Sequence, residues 1–291
     1  MKILRVFPER TSYTPTDSLV AIGMPPLKEF IPPHDEVHVS CVFSWDREFC
    51  RFLQHQWQGQ TDKPVLFGGV AFGSSATTFT KGLYVKDNIV FTSRGCNNNC
   101  PWCIVPKLEG RLKELLIESG NIIQDNNFLQ TSKTHQSKVF EMLKGQKAIC
   151  FKGGLEANLI TTDFAEQING LYYIKGGKKV SRVAELWLAC DTDGAIPHFK
   201  RAVAALKRTG FTRYKIKCYV LIGDDMDKNE VRLREIYNEG VMPFAQLYQP
   251  IDAEKKKEYS TDWKAFHRMW SRPAATRAHM EKGTSFRYFN K

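Results

Sequence analysis

Three cysteines fall within eight positions, at Cys96, Cys100 and Cys103. The run reads Ser93-Arg94-Gly95-Cys96-Asn97-Asn98-Asn99-Cys100-Pro101-Trp102-Cys103, a C-x3-C-x2-C spacing. Thiolates are the soft ligands that iron–sulfur clusters and zinc require. So tight a spacing lets one loop wrap one small metal centre, and Gly95 with the asparagine run tolerates the left-handed backbone angles that wrapping needs. The count of three is informative. A closed cubane takes four thiolates, so three leave one iron open to a non-protein ligand. Open coordination marks a catalytic site rather than a structural one, by the logic that holds for zinc. The alternative is a zinc site that borrows a fourth ligand, Cys150 or His135, although zinc motifs normally come as two spaced pairs, which this sequence lacks. Cys41 and Cys50 flank Trp45 and read as buried free thiols. Cys190 and Cys218 read the same way, with a hydrogen-atom donor or methyl acceptor as the alternative.

The elements that must position this loop alternate between strand and helix. Strands are expected at 89–92, 121–124, 148–151, 184–189, 214–222 and 243–248, and helices at 108–118, 132–143, 161–169, 196–208, 229–238 and 261–270, from apolar periodicity, caps and glycine stops. Six such units imply a parallel sheet with right-handed crossovers. They are too few for a full eight-fold barrel, leaving a partial barrel or a doubly wound open sheet. Before them, strand-like runs at 36–43 and 64–69 around a helix at 46–57 indicate a small α/β element. The expected division is therefore 1–85, 86–250 and 251–291.

On the cysteine motif, its position after the first strand of the series, and Trp102 just before the third cysteine, the sequence over about residues 86–250 resembles the radical S-adenosylmethionine (SAM) superfamily. Thr92-Ser93-Arg94-Gly95-Cys96 with Cys103-Ile104-Val105-Pro106 is similar to its cobalamin-associated and methylthiotransferase branches. The resemblance implies an α/β fold of partial (βα)6 TIM-like barrel type. It implies a [4Fe–4S] cluster on Cys96, Cys100 and Cys103, with SAM bound through its amino and carboxylate groups at the open iron. One electron from an external flavodoxin- or ferredoxin-like donor would cleave SAM to methionine and a 5′-deoxyadenosyl radical, which abstracts hydrogen from substrate. By position it implies Asp125 and Asn126 as acceptors for the SAM amino group, where the usual Gly-Gly-Glu is absent. It further implies backbone approach at Gly153 and Gly154 with Glu156 just beyond, Asp191 for the ribose or a nearby cation, Gly223 where the adenine packs, and Trp102 beside the adenine. An ordinary turn at 153–154 and a helix-capping Asp191 are the plain alternatives. Arg94 is read as serving SAM or the donor protein. Pro64 to Gly73 resembles the tail of a cobalamin-binding-like domain, but the segment lacks Asp-x-His-x-x-Gly, which implies a degenerate relative that does not hold B12.

The bulk properties narrow the classes. The chain has 291 residues, 42% hydrophobic and 25% charged, an ordinary globular balance. No apolar run approaches a membrane span, and the N-terminus has no signal-peptide core, so the expectation is a cytoplasmic protein without membrane partners. Eight cysteines are too sparse for a disulfide framework. A net charge of +11 favours acidic partners: nucleic acid, nucleotides or an anionic membrane surface. Six basic and no acidic residues lie between Arg201 and Lys217. The tail interleaves Arg272, Arg277, Lys282 and Arg287 with Phe286, Tyr288 and Phe289, the pairing of cations and aromatics that suits phosphates and bases. A solvated helix face and a docked C-terminal strand explain the same residues without nucleic acid. A peptide or small metabolite is the second substrate class. A non-catalytic zinc- or cluster-stabilised nucleic-acid-binding protein is the rival from another class. The absence of a Cys-rich extension argues against the multi-cluster peptide-maturing enzymes, and no methylthiotransferase accessory domain is evident after residue 250.

Overall fold

In the computed structural model, which describes residues 1–73, 79–250, 253–283 and 286, the strand–helix alternation is realised in two separate parallel sheets. The chain forms two units. The first comprises Met1–Ile89, Asn98–Gly110 and Gln249–Lys257, and the second Val90–Asn97, Arg111–Tyr248 and Glu258–Lys291.

In the first unit, strands β1 (Ile3–Phe7), β2 (Val20–Ile22), β3 (Glu36–Ser40) and β4 (Val65–Gly68) lie in the order β2-β1-β3-β4, with every neighbouring pair parallel. Helix α1 (Arg47–Gln58) turns Cys50, Leu53 and Trp57 onto Leu4, Val6, Val37 and Val39. The order reverses direction at β1, as in doubly wound nucleotide-binding sheets. The sequence reading found β3, α1 and β4 but not the two strands before them. Cys41 and Cys50 are fully buried free thiols, as read. Gly69 is constrained by packing: at φ +115°, an added methyl would lie 2.3 Å from the Cys41 carbonyl oxygen.

The second unit carries a six-stranded sheet. After β5 (Ile89–Val90), the short strands β6 (Ser93–Arg94) and β7 (Lys113–Glu114) form an antiparallel ribbon; the one-turn helix α2 (Val105–Leu108), between them in sequence, groups with the first unit. There follow β8 (Ile122–Ile123), α3 (Lys133–Lys144), β9 (Ile149–Leu155), α4 (Thr162–Asn169), the hairpin β10 (Tyr172–Lys175) and β11 (Lys178–Ser181), β12 (Val183–Ala189), α5 (Ile196–Arg208), β13 (Ile216–Ile222), α6 (Met226–Asn238), β14 (Met242–Leu247), α7 (Thr261–Trp270) and α8 (Pro273–Lys282). The sheet runs β14-β13-β12-β9-β8-β5, which is chain order read backwards. Its inward residues, among them Phe151, Leu186, Leu188, Val220 and Ala245, share one core with Val139, Leu143, Phe164, Val203, Leu206, Leu233, Ile236, Phe266 and Trp270 from the helices. The alternating burial of β13 shows the two faces: Ile216, Cys218, Val220 and Ile222 point to that core, and Lys217, Tyr219 and Leu221 point away. The sheet ends in the edge strands β5 and β14, and no closed barrel forms among the described residues.

Three expectations need correction. Residues 108–118 are not a helix. Gly110 turns at φ +71°, and the backbone beyond it is claimed by β6, with the Leu115 N–H donating to Thr92 at 2.8 Å. Helix α6 starts three residues before the expected 229, because the Asp225 carboxylate caps the N–H groups of Asp227 and Lys228. The segment after 250, expected as a C-terminal helix and basic tail, divides: Gln249–Lys257 groups with the first unit, and Phe266, Trp270 and Phe286 belong to the core of the second. Arg287, Tyr288 and Phe289 lie outside the described residues.

Glu230 explains how the C-terminal segment is held. Its carboxylate, 5% exposed, accepts from Arg234 at 2.7 Å, from His279 at 2.9 Å and from the Phe286 N–H at 3.0 Å. Burial pushes this carboxyl upward, but His279, the Phe286 N–H and Arg234 outweigh it and hold it below its ordinary value. Its contribution to stability is therefore present above the ordinary carboxylate pKa and fades as pH falls through the depressed value. Glu230→Ala is expected to lower stability by about 3–5 kcal/mol, because it strands buried donors. Denaturant unfolding near neutral pH checks this, and the gap to wild type should narrow in acid.

Candidate metal centre

The cysteine loop grows from a base built around Asp125. Strand β8 is only two residues long, and the chain after it runs beside residues 90–95. Gln124 donates its N–H to Val90 at 2.9 Å, and the Asn126 side chain accepts from the Gly95 N–H at 3.0 Å. Between them, Asp125 is 1% exposed and accepts from the Thr92 N–H at 2.6 Å, the Thr92 hydroxyl at 2.6 Å and the Ser93 hydroxyl at 2.8 Å. Burial raises its pKa, opposed by those donors. Gly95, at φ +82°, then turns the chain into Cys96.

Cys96 meets two polar side chains. The Asn127 amide donates to its sulfur at 3.7 Å, its thiol points to the Gln130 oxygen at 3.8 Å, and that same oxygen takes the Asn97 N–H at 2.8 Å. Asn127 and Gln130 both donate to one oxygen of Glu156, at 2.7 and 3.0 Å. Asn127 is 4% exposed, and its own oxygen, Oδ1, has no hydrogen-bond partner. A buried acceptor left open costs about 1–3 kcal/mol, so a ligand that donates to it is favoured. Farther along the loop, Cys103 donates its N–H to Cys100 at 3.0 Å. All three cysteines are partly exposed. Cys96 groups with the second unit, and Cys100 and Cys103 with the first. Among the described residues, no three His, Cys, Asp or Glu side chains are gathered as metal ligands. The donor set suits a soft metal by its chemistry, and the open Asn127 oxygen beside Cys96 suits a cationic ligand.

The residues expected from the sequence divide into several kinds. Asp125 is turned inward and joins the strand ends rather than facing a ligand. The Asn126 oxygen is occupied by Gly95. Gly153 has a packing reason to be glycine: a methyl there would lie 1.7 Å from the Asp125 carbonyl oxygen. Gly154, at φ +99°, faces open space. These two glycines lie in a bulge, where β9 carries two residues more than β12 between paired positions. Asp191 is no helix cap; it accepts the Leu221 N–H at 2.8 Å, tying the end of β12 to β13. Gly223, at φ +127°, leaves room for the Tyr259 hydroxyl, which would be 2.5 Å from a methyl there. Trp102 is half-buried, and Arg94 lies over the Phe91 ring at 4.5 Å. Of the proposed fourth zinc ligands, His135 is buried near Glu114 at 3.6 Å, and the Cys150 thiol faces the Ala148 carbonyl at 3.5 Å. Cys190 and Cys218 are fully buried, with burial pushing Cys190 up to about 12, so both are neutral packing groups.

Sequence reasoning missed Asn127 and Gln130. Asn127 follows the two residues that were named, and only the turn into residues 128–130 decides which of the three side chains faces Cys96. It also missed a cluster on the sheet face away from the helices. There Glu185 accepts from Lys217 and from the Trp187 indole at 2.8 Å, with Lys152 at 3.5 Å. Trp187 stacks on Tyr219 with ring centres 4.4 Å apart, and Phe244 meets both edge-on. Alternate residues of a strand share a face, so these positions had a signal once the inward set was known. No family model, curated protein or solved structure matches this chain.

Asp125→Ala is expected to lower stability by at least about 1–3 kcal/mol, since it orphans the buried Thr92 N–H and two hydroxyls. Hydrogen exchange checks the local reading: the Thr92 and Gln124 amides should lose protection more than those of β13.

Proposed function

We propose that this chain is a radical SAM enzyme whose [4Fe–4S] cluster is held by Cys96, Cys100 and Cys103. The observation that carries the reading is the C-x3-C-x2-C spacing on the loop that follows the first strand of a six-stranded parallel sheet. The sheet's chain-order winding supports a partial (βα)6 barrel over a doubly wound sheet, whose order would reverse at a switch point. When bound, the cluster would supply the electron, received from an external flavodoxin- or ferredoxin-like donor, that breaks the S–C5′ bond of SAM.

The chain's own residues do the rest. Asn127 would take the SAM amino group on its open Oδ1, and Glu156, held by Asn127 and Gln130, would add negative charge beside that ammonium. Asn126 fixes the turn at Gly95, and Asp125 holds the base from which the loop departs. Gly154, Asp191 and Gly223 follow or end successive strands, at the sheet edge where such folds bind ligands. A nucleic acid or nucleotide is the favoured substrate class, supported by the charge of +11. The sheet face bearing Lys152, Lys217 and the Trp187–Tyr219–Phe244 aromatics suits a planar, anionic group.

Anaerobic reconstitution with iron and sulfide, followed by dithionite and SAM, is expected to yield 5′-deoxyadenosine. Cys96→Ala, Cys100→Ala and Cys103→Ala should each abolish it. Zinc without acid-labile sulfide would sink the proposal and favour a nucleic-acid-binding protein without catalysis. Asn127→Ala should leave the cluster's absorbance intact and weaken SAM binding about tenfold, the loss of roughly one charge-assisted hydrogen bond. Equilibrium binding of SAM to the reconstituted protein reads this directly.

A further inference from the structure

The hairpin β10–β11 projects between α4 and β12 and pairs with no other strand among the described residues. Gly176 and Gly177, at φ +56° and +75°, make its two-residue turn, the geometry that fits the twist of paired strands. Tyr172, Ile174, Lys175, Lys178 and Lys179 are all exposed, Ile174 by 60%. Lys175 stands directly opposite Lys178 at the tip, and Lys179 lies over the Tyr172 ring at 4.4 Å. Like charges directly opposite destabilise a pair of strands, and a lone hairpin is marginal in water. Negative charge brought to such a tip relieves that repulsion.

The surroundings extend the pattern. The segments that precede β9, β12 and β13 share the N-terminal edge of the sheet, and hydrogen bonds join them. Arg182 donates to Gln146 at 2.9 Å, and Lys215 to Val183 at 2.7 Å. No acidic residue occurs from Met142 to Cys150, from Gln167 to Ala184, or from Arg201 to Lys217. Glu185, the next acid after the hairpin, is held on the sheet by Lys217. Lys147 and Tyr214, the latter 74% exposed, belong to the same edge. Arg182, Arg213 and Lys215 are engaged with backbone carbonyls and act as its scaffold.

We propose that this edge, centred on Lys175, Lys178 and Lys179, binds single-stranded nucleic acid. The lysines take phosphates, and Tyr172 and Tyr214 offer rings to unstacked bases. The exposed tyrosines favour a single strand over a duplex, whose bases are already stacked, and one exposed isoleucine is too little apolar surface for a membrane. Cys96 lies at the other end of the sheet, beyond the C-terminal ends of β8 and β9. The seven residues of β12 alone extend roughly 23 Å at about 3.3 Å each, so the edge is a docking surface separate from the cysteine loop. The inference does not depend on the cluster.

The test uses the full chain and fluorescein-labelled single strands of DNA and of RNA of about 20 nucleotides, read by anisotropy between about 50 and 200 mM salt. Wild type should bind with a steep salt dependence. Lys175→Glu, Lys178→Glu, Lys179→Glu together should weaken binding at least about tenfold and lower the log–log salt slope by about two, the share of three phosphate contacts on a single strand. The equally charged triple Lys2→Glu, Lys28→Glu, Lys63→Glu, on exposed positions of the first unit, should bind nearly as wild type. Tyr172→Ala should weaken binding about fivefold or more with the slope unchanged, which separates stacking from charge. Equal losses in the two triple variants, wild-type binding by the hairpin variant, competition by polyglutamate as strong as by the oligonucleotide, or capture by phosphatidylglycerol vesicles but not by either strand would each overturn the proposal. Formation of 5′-deoxyadenosine should be unchanged in the hairpin variant, so failure here and failure of the cluster reading are separate results.

Discussion

The Asp125 carboxylate accepts hydrogen bonds from two residues more than thirty positions earlier, and the rest of the candidate site depends on those bonds. β5 and β8 have two residues each, so their ladder alone cannot hold the strand ends in register. A buried carboxylate is costly to remove from water, and three strong donors offset that cost. The result is a rigid base at 90–95 and 124–127 from which the cysteine loop departs. The same close approach excludes any side chain at Gly153 and sends β9 through its bulge toward Glu156. One carboxylate thereby determines where Cys96, Asn127, Gln130 and Glu156 meet.

The winding of the sheet divides its surfaces. Parallel strands in chain order with right-handed crossovers place their helices on one face, and the single apolar core joining strands to helices agrees with this. The opposite face is left to Lys152, Glu185, Trp187, Lys217, Tyr219 and Phe244, where two lysines share the one carboxylate of Glu185. The two edges differ as well. The C-terminal edge carries glycines with positive φ, carboxylates and the start of the cysteine loop. The N-terminal edge carries lysines, arginines and exposed tyrosines, with no acidic residue in the segments that precede β9, β12 and β13.

The eight cysteines separate by environment in the same way. Cys41, Cys50, Cys150, Cys190 and Cys218 are buried, and burial keeps the last three protonated. Cys96, Cys100 and Cys103 are partly exposed, where solvent can reach them.

The sequence by itself determined the strand–helix alternation and the place of the three-cysteine loop after the first strand of the six-stranded sheet, because these rest on local periodicity, caps and glycine stops. It marked Gly153 and Gly223 as positions of ligand approach, whereas close packing against the Asp125 carbonyl and the Tyr259 hydroxyl is what constrains them. The ribbon at 113–114 defeated it, since a helical apolar pattern there is overridden by pairing with residues 93–94. The hairpin at 172–181 escaped because its Gly-Gly turn is flanked by lysines rather than by alternating apolar residues. The choice among Asp125, Asn126 and Asn127 was closed to it as well. Three adjacent polar residues are equivalent until long-range packing buries one carboxylate, occupies one amide and leaves one oxygen open. Those outcomes depend on partners some thirty residues away, which only the tertiary structure brings into contact.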